Sequence, residues 1–226
     1  MPIVLTPLVS STTSFDDMVD DVSVHLPGCP QPMIAHTIRK VVVDMCQRAK
    51  VWVSDFRPIT LVPGQVNYAL QPVETYAVCT DVVSGHVVIG GAKTELSWEP
   101  LEAVKRQFPS WPTGVNNTPQ VMTWATLGEV MLAPVPDVAG TLYLRGYLRP
   151  APDATVWDSA LYNEFSRVIF HGTLYELMLT PNRSWSDAKV AALHGRHWTQ
   201  LLAAARDRAQ RGFNADDLSV AMLPFA

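Results

Sequence analysis

The sequence predicts an α+β fold: an α-helical bundle that carries an inserted, antiparallel β-rich lobe and ends in an extended C-terminal arm. Helical periodicity occurs near both ends of the 226-residue chain, and closely spaced β-rich runs with short turns fill its middle. We therefore expect residues 1–57 to supply a leader and the N-terminal helices, 58–150 the lobe, 151–212 the C-terminal helices and 213–226 the arm.

The amino-acid composition indicates a chain that folds around a core. Apolar residues make up 48% of it, enough to bury a sizeable core. The formal net charge is −4, and this lack of basic excess disfavours binding of duplex DNA through its phosphates. No apolar run approaches the roughly 20 residues that cross a bilayer, and the N-terminus lacks the basic segment of a signal peptide. We therefore expect a soluble protein made in a reducing cytoplasm.

The N-terminal region predicts a leader followed by two helices. Residues 1–13 are rich in Ser, Thr and Pro, which predicts an extended leader. Ser14 is a typical N-cap for a short acidic helix over 15–22. Over 32–51, apolar residues recur at steps of three and four, which predicts a longer amphipathic helix with one buried face.

The middle of the chain predicts strands joined by short turns. A turn at Pro63-Gly64 indicates a hairpin over 59–70, and Gly90-Gly91 indicates a second turn. A short helix is predicted over 100–107, because proline is favoured in a first helical turn. Apolar and polar residues alternate over 141–147, as is typical of a strand with one buried face. The other predicted strands are 76–83, 87–89, 94–98, 120–126 and 129–133.

Helical patterns return after Pro152. Residues 158–179 are apolar on nearly all sides, which predicts a helix buried between neighbours. Ser184 and Asp187 have the spacing of a capping box, which predicts that a last, Ala-rich helix begins there and runs to about residue 211. Residues 213–226 show no regular period but carry several apolar side chains, and such a segment is costly to leave in water.

The sequence contains no motif that specifies a catalytic, cofactor or metal site. His194 and His197 are spaced like metal ligands, but neither an HExxH motif nor a third ligand close in sequence accompanies them. Cys29, Cys46 and Cys79 form no CxxC pair, so we expect buried, reduced thiols. We therefore predict no cofactor and no enzymatic activity. A hydrolase of unrecognised type that uses Cys46, His194 and His197 is a remote alternative.

Charge is distributed unevenly along the chain. Residues 14–26 contain four acidic and no basic side chains, whereas residues 181–212 contain six basic and two acidic ones. Such charges contribute little energy at a surface but select register and partner. They could join two segments of one chain, join neighbouring copies, or simply face solvent. The candidates for inter-subunit pairing are Asp16, Asp17, Asp20 and Asp21 with Arg196, Arg206, Arg208 and Arg211.

The C-terminal half contains a recognisable order of short segments. GEVMLAPVPD at 128–137 precedes GTLYL at 140–144, and LYNEF and IFHGTLYELML follow within 161–179. PNRSWSD at 181–187 then leads into an Ala- and Arg-rich helix that ends at Arg211-Gly212. In this order the segments resemble the head-to-tail adaptor, or head-completion, proteins of tailed bacteriophages with short tails.

The resemblance implies a structural protein of the virion neck that is made in the host cytoplasm. It implies a homo-oligomeric ring of about twelve copies, through whose lumen genomic DNA passes without sequence-specific binding. The β-rich lobe would meet the tail nozzle or the next tail ring protein, and no membrane partner is expected. The arm would reach the portal protein through Phe213, Leu218, Met222, Leu223 and Phe225. A tail or baseplate protein whose lobe binds a ligand or partner is the alternative function.

Overall fold

The computed structural model describes residues 11–113, 117–126 and 128–211. A 3-10 helix at Phe15–Met18 precedes five α-helices: α1 (Val19–Ser23), α2 (Gln31–Ala49), α3 (Leu101–Gln107), α4 (Ser159–Met178) and α5 (Ala188–Gln210). The strands are β1 (Thr12–Ser14), β2 (Val53–Asp55), β3 (Ile59–Leu61), β4 (Asn67–Ala69), β5 (Ala77–Ile89), β6 (Ala92–Trp98), β7 (Val121–Thr126), β8 (Glu129–Ala133), β9 (Gly140–Pro150) and β10 (Val156–Asp158). The α+β class predicted from the sequence is confirmed, while the arm at 213–226 lies outside the described residues.

The strands form one large curled sheet and one small ribbon. The large sheet has the order β2-β9-β5-β6-β7-β8-β4, and β3 also pairs with β9. All its pairs are antiparallel except β6 with β7, which is parallel. The ribbon joins β1 to β10, so the part of the predicted leader that is described forms a strand against a segment far along the chain.

The hairpin predicted over 59–70 is wrong. The turn itself forms, because the Gln65 amide donates to the Val62 carbonyl oxygen at 3.1 Å. Its two strands then diverge: β3 pairs with β9 and β4 pairs with β8. Each strand pairs over all three of its residues with its distant partner, so neither leaves backbone groups that a hairpin partner would have to satisfy on that edge. The hydroxyl of Tyr68 still links the two segments, because it accepts from the Val62 amide and lies within hydrogen-bond distance of the carbonyl oxygens of Val62 and Gln65.

Strand β5 replaces two predicted strands. It runs without a break through residues 77–89 and is paired with β9 along most of that length, with register irregularities near Cys79 and Val82. The predicted turn at Gly90-Gly91 joins β5 to β6 and is confirmed; both glycines have positive φ, +57° and +85°. On β9 the predicted alternation is also confirmed, with the three leucines at 142, 144 and 148 buried.

The N-terminal and C-terminal helices pack together as one bundle. Helix α2 contacts both α4 and α5, which in turn pack against each other. The three helices approach closely at Gly172 of α4, where an added Cβ would lie 2.6 Å from Val41 and 2.7 Å from the Trp198 ring. One continuous hydrophobic core extends from Phe15 through the bundle into the sheet. Helices from the two ends of the chain are therefore held in a fixed arrangement, with the sheet beside them.

The two predicted N-caps differ in outcome. Ser14 caps the 3-10 helix, with its own amide bound by the carboxylate of Asp17, as in a capping box. The box predicted at Ser184 is wrong, because α5 begins at Ala188 with Asp187 as its N-cap. The Asp187 amide and the Ser186 hydroxyl both donate to the Met178 carbonyl oxygen, which ties residues 186 and 187 to the end of α4.

Replacing the observed cap of α5 should destabilise the protein. The Asp187 carboxylate accepts from the amides of Lys189 and Val190 at 2.9 and 3.1 Å. We expect Asp187→Ala to lower the free energy of unfolding, measured by urea denaturation, by about 1 kcal/mol. The matched control is Ser184→Ala, whose hydroxyl makes only a 3.5 Å contact with Pro27, and it should cost less than about 0.5 kcal/mol. Equal costs at the two positions would contradict this account of the cap.

Candidate assembly surfaces

The four acidic candidates lie on the exposed side of the first helices. All of Asp16, Asp17, Asp20 and Asp21 are exposed, and none forms an ion pair within the described residues. Asp17 caps the 3-10 helix, and Asp16 accepts from the Ser14 hydroxyl. Asp20 and Asp21 stand one turn before Val24, which is 79% exposed. This corner of α1 therefore presents two carboxylates beside an apolar side chain.

The four basic candidates are spread along α5 and its C-terminal cap. Arg208 pairs with Glu164 of α4, and Arg211 pairs with Asp207. Arg196 and Arg206 are exposed and form no ion pair within the described ranges. The basic and acidic candidates are thus not brought together inside the described part of one chain.

A groove runs between α4 and the first half of α5. It measures about 600 Å³ and is lined by Tyr175, Leu179, Ala188, Ala192, Gly195, Arg196, Trp198, Thr199 and Gln200. Its floor depends on Gly195, where an added Cβ would lie 2.8 Å from the Tyr175 ring. Leu179 is 46% exposed at one end. The groove is therefore a largely apolar recess with one guanidinium on its wall.

A second groove separates the bundle from the sheet. It measures about 790 Å³, and Trp52, Tyr147, Leu161, Phe165 and Ala209 are among its lining residues. Ala209 lies one residue before the end of α5. The predicted arm thus follows directly on a helix whose last turn borders this groove.

Three histidines of α4 and α5 come together: His171, His194 and His197. The Nδ1 atoms of His171 and His194 are 2.8 Å apart, and the His197 ring centroid is 5.1 Å from that of His171. One ring must donate its proton to an unprotonated partner, so this contact needs a neutral imidazole. Burial lowers the pKa of both His171 and His194. Nearby positive groups act in the same direction: His197 on both, Arg167 on His171, and His25 at the end of α1 on His194.

Acidification should destabilise the fold through this histidine cluster. The pKa values of His171 and His194 are lowered in the folded state, whereas in the unfolded chain a histidine has its ordinary pKa of about 6.5. As the pH falls below about 6.5, the unfolded chain therefore binds more protons than the folded one. Stability is therefore present above that pH and is lost as the pH falls towards the folded-state values. We expect the Tm to fall from about pH 7.5 to pH 5, and His171→Gln/His194→Gln to flatten this fall. His86→Gln is the control, and an unchanged slope in the double variant would contradict the assignment.

Cys46, the cysteine considered for catalysis, is buried and its thiol is not activated. Burial raises the pKa of the Cys46 thiol to about 12, and that of Cys79 to about 12 as well. Both thiols therefore stay protonated at neutral pH and lack the thiolate that nucleophilic attack requires. Within the described residues, no group of three or more His, Cys, Asp or Glu is arranged to hold a metal ion. No helix in those ranges has the length and apolar character needed to span a bilayer.

Comparison with protein families gives a match that covers most of the chain. A family model described as SU10 adaptor protein matches residues 13–221, which is most of the chain. The match begins in β1 and continues through the bundle, the sheet and α5. No curated protein matches the sequence.

Proposed function

The chain belongs to the SU10 adaptor protein family, a family of phage head-tail adaptors, and from this we propose that it forms the ring that joins the capsid portal to the tail. A phage adaptor is a structural component of the virion. The single observation that carries the proposal is the family match over residues 13–221, which includes both ends of the bundle.

The bundle suits the role of a rigid ring subunit. Its helices come from sequence-distant segments and share one core with the sheet, so the subunit resists bending between its two ends. We propose that the units of this subunit are the segments 1–57 and 151–212 as the bundle, 58–150 as the β-rich lobe, and 213–226 as the arm. In this arrangement the lobe meets the tail nozzle or the next tail ring protein.

The arm is proposed to bind the portal. Residues 213–226 follow the 23-residue helix α5, whose last turns are held on the bundle by the ion pair of Arg208 with Glu164 of α4. A segment that orders on docking shelters its apolar side chains on the partner. The proposed anchors are Phe213, Leu218, Met222, Leu223 and Phe225, all of which lie outside the described residues.

Passage of genomic DNA is proposed to follow from the ring geometry. The net charge of −4 suits a channel in which DNA slides, since a strongly basic lining would bind phosphates. We propose a ring of about twelve copies, closed by one repeated contact between neighbours.

Electron microscopy of the protein mixed with its portal tests this function. We expect negative-stain images to show an added ring of density on the side of the portal that faces the tail. The matched control is the portal alone. Portals that remain bare at saturating protein, or virion labelling at the distal tail, would contradict the proposal; the second result would favour a baseplate protein.

A further inference from the structure

We propose that the exposed corner of α1 in one copy docks into the groove between α4 and α5 of the next copy, and that this contact closes the ring. The corner consists of Asp20, Asp21 and Val24, and the groove is the one lined by Leu179, Ala192 and Arg196. The inference rests on the proposed ring function and names the surfaces that its neighbouring copies use.

The corner of α1 has the form of a small apolar knob with a negative rim. Val24 is the most exposed large apolar side chain among the described residues, at 79%. Asp20 and Asp21 precede it by four and three residues, so all three lie on one side of α1. Neither carboxylate forms an ion pair within the described ranges, and each is free to pair with another molecule.

The groove has the complementary shape and charge. Ala188 and Ala192 line the groove with small side chains that leave it open to a partner. Gly195 lacks a side chain, so the Tyr175 ring can form the floor of the groove. Leu179 offers an exposed apolar contact at the end of the groove. Arg196 supplies a positive charge that no described carboxylate neutralises. An apolar knob with two carboxylates fits this recess better than the reverse charge pattern would.

The two surfaces lie on different sides of α5. The His25 ring, next to Val24, contacts the Phe170 ring at 5.3 Å and lies near His194, which places the corner on the histidine side of α5. Positions two residues apart point to nearly opposite sides of a helix, so Ala192 faces away from His194. A knob and a recess on different sides of one subunit give a head-to-tail contact, which repeats from copy to copy and forms a ring where the rotation between neighbours closes.

A disulfide between the two surfaces tests the contact directly. We expect the full chain carrying Val24→Cys and Ala192→Cys to form, on mild oxidation with its portal present, a ladder of covalent dimers, trimers and larger species. A bond within one chain would leave the protein monomeric, so a ladder shows that the bond joins different copies. The controls are the two variants that carry only one of the added cysteines beside the native Cys29, Cys46 and Cys79. They should give no ladder beyond dimers. A double variant that remains monomeric on a denaturing gel would overturn the proposal.

Reversal of the two charges supplies a second measurement. We expect Asp21→Lys and Arg196→Glu each to reduce ring formation at least about tenfold, and the variant with both changes to recover most of it. Asp16→Lys and Arg206→Glu carry the same charge changes outside the contact and should assemble normally. Circular dichroism checks that all variants are folded. Rings that form equally well in both single variants would overturn the interface.

The outcomes separate this interface from the proposed function. If portals gain a ring but no cysteine ladder forms, the proposed interface is wrong and the adaptor function is retained. If the ladder forms at high protein concentration but portals gain no ring, the adaptor function is wrong and the interface is supported. A chain that forms neither would overturn both.

Discussion

Deletion of residues 213–226 should leave a folded protein that no longer joins portals. The helices and the hydrophobic core described here lie entirely within residues 11–211, so removal of the arm takes away none of these contacts. We expect the thermal melting curve to remain close to that of the full chain. Addition of the truncated protein to portal rings, measured by co-sedimentation, should fall by at least about 100-fold.

The size of this loss follows from the apolar content of the arm. Burial of a large apolar side chain contributes about 1.5–3 kcal/mol, and five such anchors are proposed. Ordering of the segment costs roughly 2–5 kcal/mol, which removes part of that gain but leaves several kcal/mol. Since about 1.4 kcal/mol is a factor of ten in affinity, even the smallest of these differences, about 2.5 kcal/mol, corresponds to a loss on the order of 100-fold for each copy. Linked copies in a ring would enlarge it further.

Two full-length variants separate apolar anchoring from chain length and charge. Replacement of the anchors Phe213, Leu218, Met222, Leu223 and Phe225 by serine should reproduce the defect of the truncation. The change Asp216→Asn/Asp217→Asn should join portals nearly as well as the parent, because it keeps all five anchors. Portal addition at parental affinity by the truncated protein would show that another segment makes the contact.

Elements that depend on local pattern could be predicted from the sequence. Helix α2 and strand β9 carry their periodicities within a single segment, and the turn at Gly90-Gly91 depends on two glycines that tolerate positive φ. The start of α5 could not be predicted in the same way. The spacing of Ser184 and Asp187 is compatible with a cap, but Ser186 and Asp187 are held instead by the end of α4. A tertiary contact therefore decided between two local possibilities.

Contacts between segments that are distant in sequence could not be predicted from local sequence patterns. Strands β3 and β4 took partners roughly 60 to 80 residues away, and no signal within 59–70 specifies those partners. His171 lies 23 residues from His194, so their contact leaves no trace in sequence spacing. The acidic and basic candidates were visible as a charge pattern. The apolar neighbours that make Asp20, Asp21 and Arg196 parts of a knob and a groove are Val24 and Leu179, and they could be recognised only once the exposure of each side chain was known.

Substitution of Trp157 should cause the largest loss of stability among the changes considered. Trp157 is fully buried on β10, where its ring stacks on Phe15 at 5.4 Å and meets the edge of Tyr162 at 5.9 Å. Its Nε1–H donates to the Ser14 carbonyl oxygen at 3.4 Å. The side chain thus joins the first residues of the bundle to the beginning of α4. We expect Trp157→Ala to lower the free energy of unfolding by about 3–5 kcal/mol.

A loss of this size approaches the whole stability of many domains. Since about 1 kcal/mol corresponds to 2–4 °C in a chain of this length, the Tm should fall by roughly 6–20 °C in differential scanning calorimetry. Trp98→Ala is the matched control: Trp98 is 36% exposed, so its substitution removes far less buried surface than that of Trp157. A double-mutant cycle with Phe15→Ala should give a coupling of about 0.5–1.5 kcal/mol for the stacked pair. If Trp157→Ala melts like the parent, the two ends of the chain do not depend on each other, and the rigid subunit that a portal-bound ring requires is lost as an explanation.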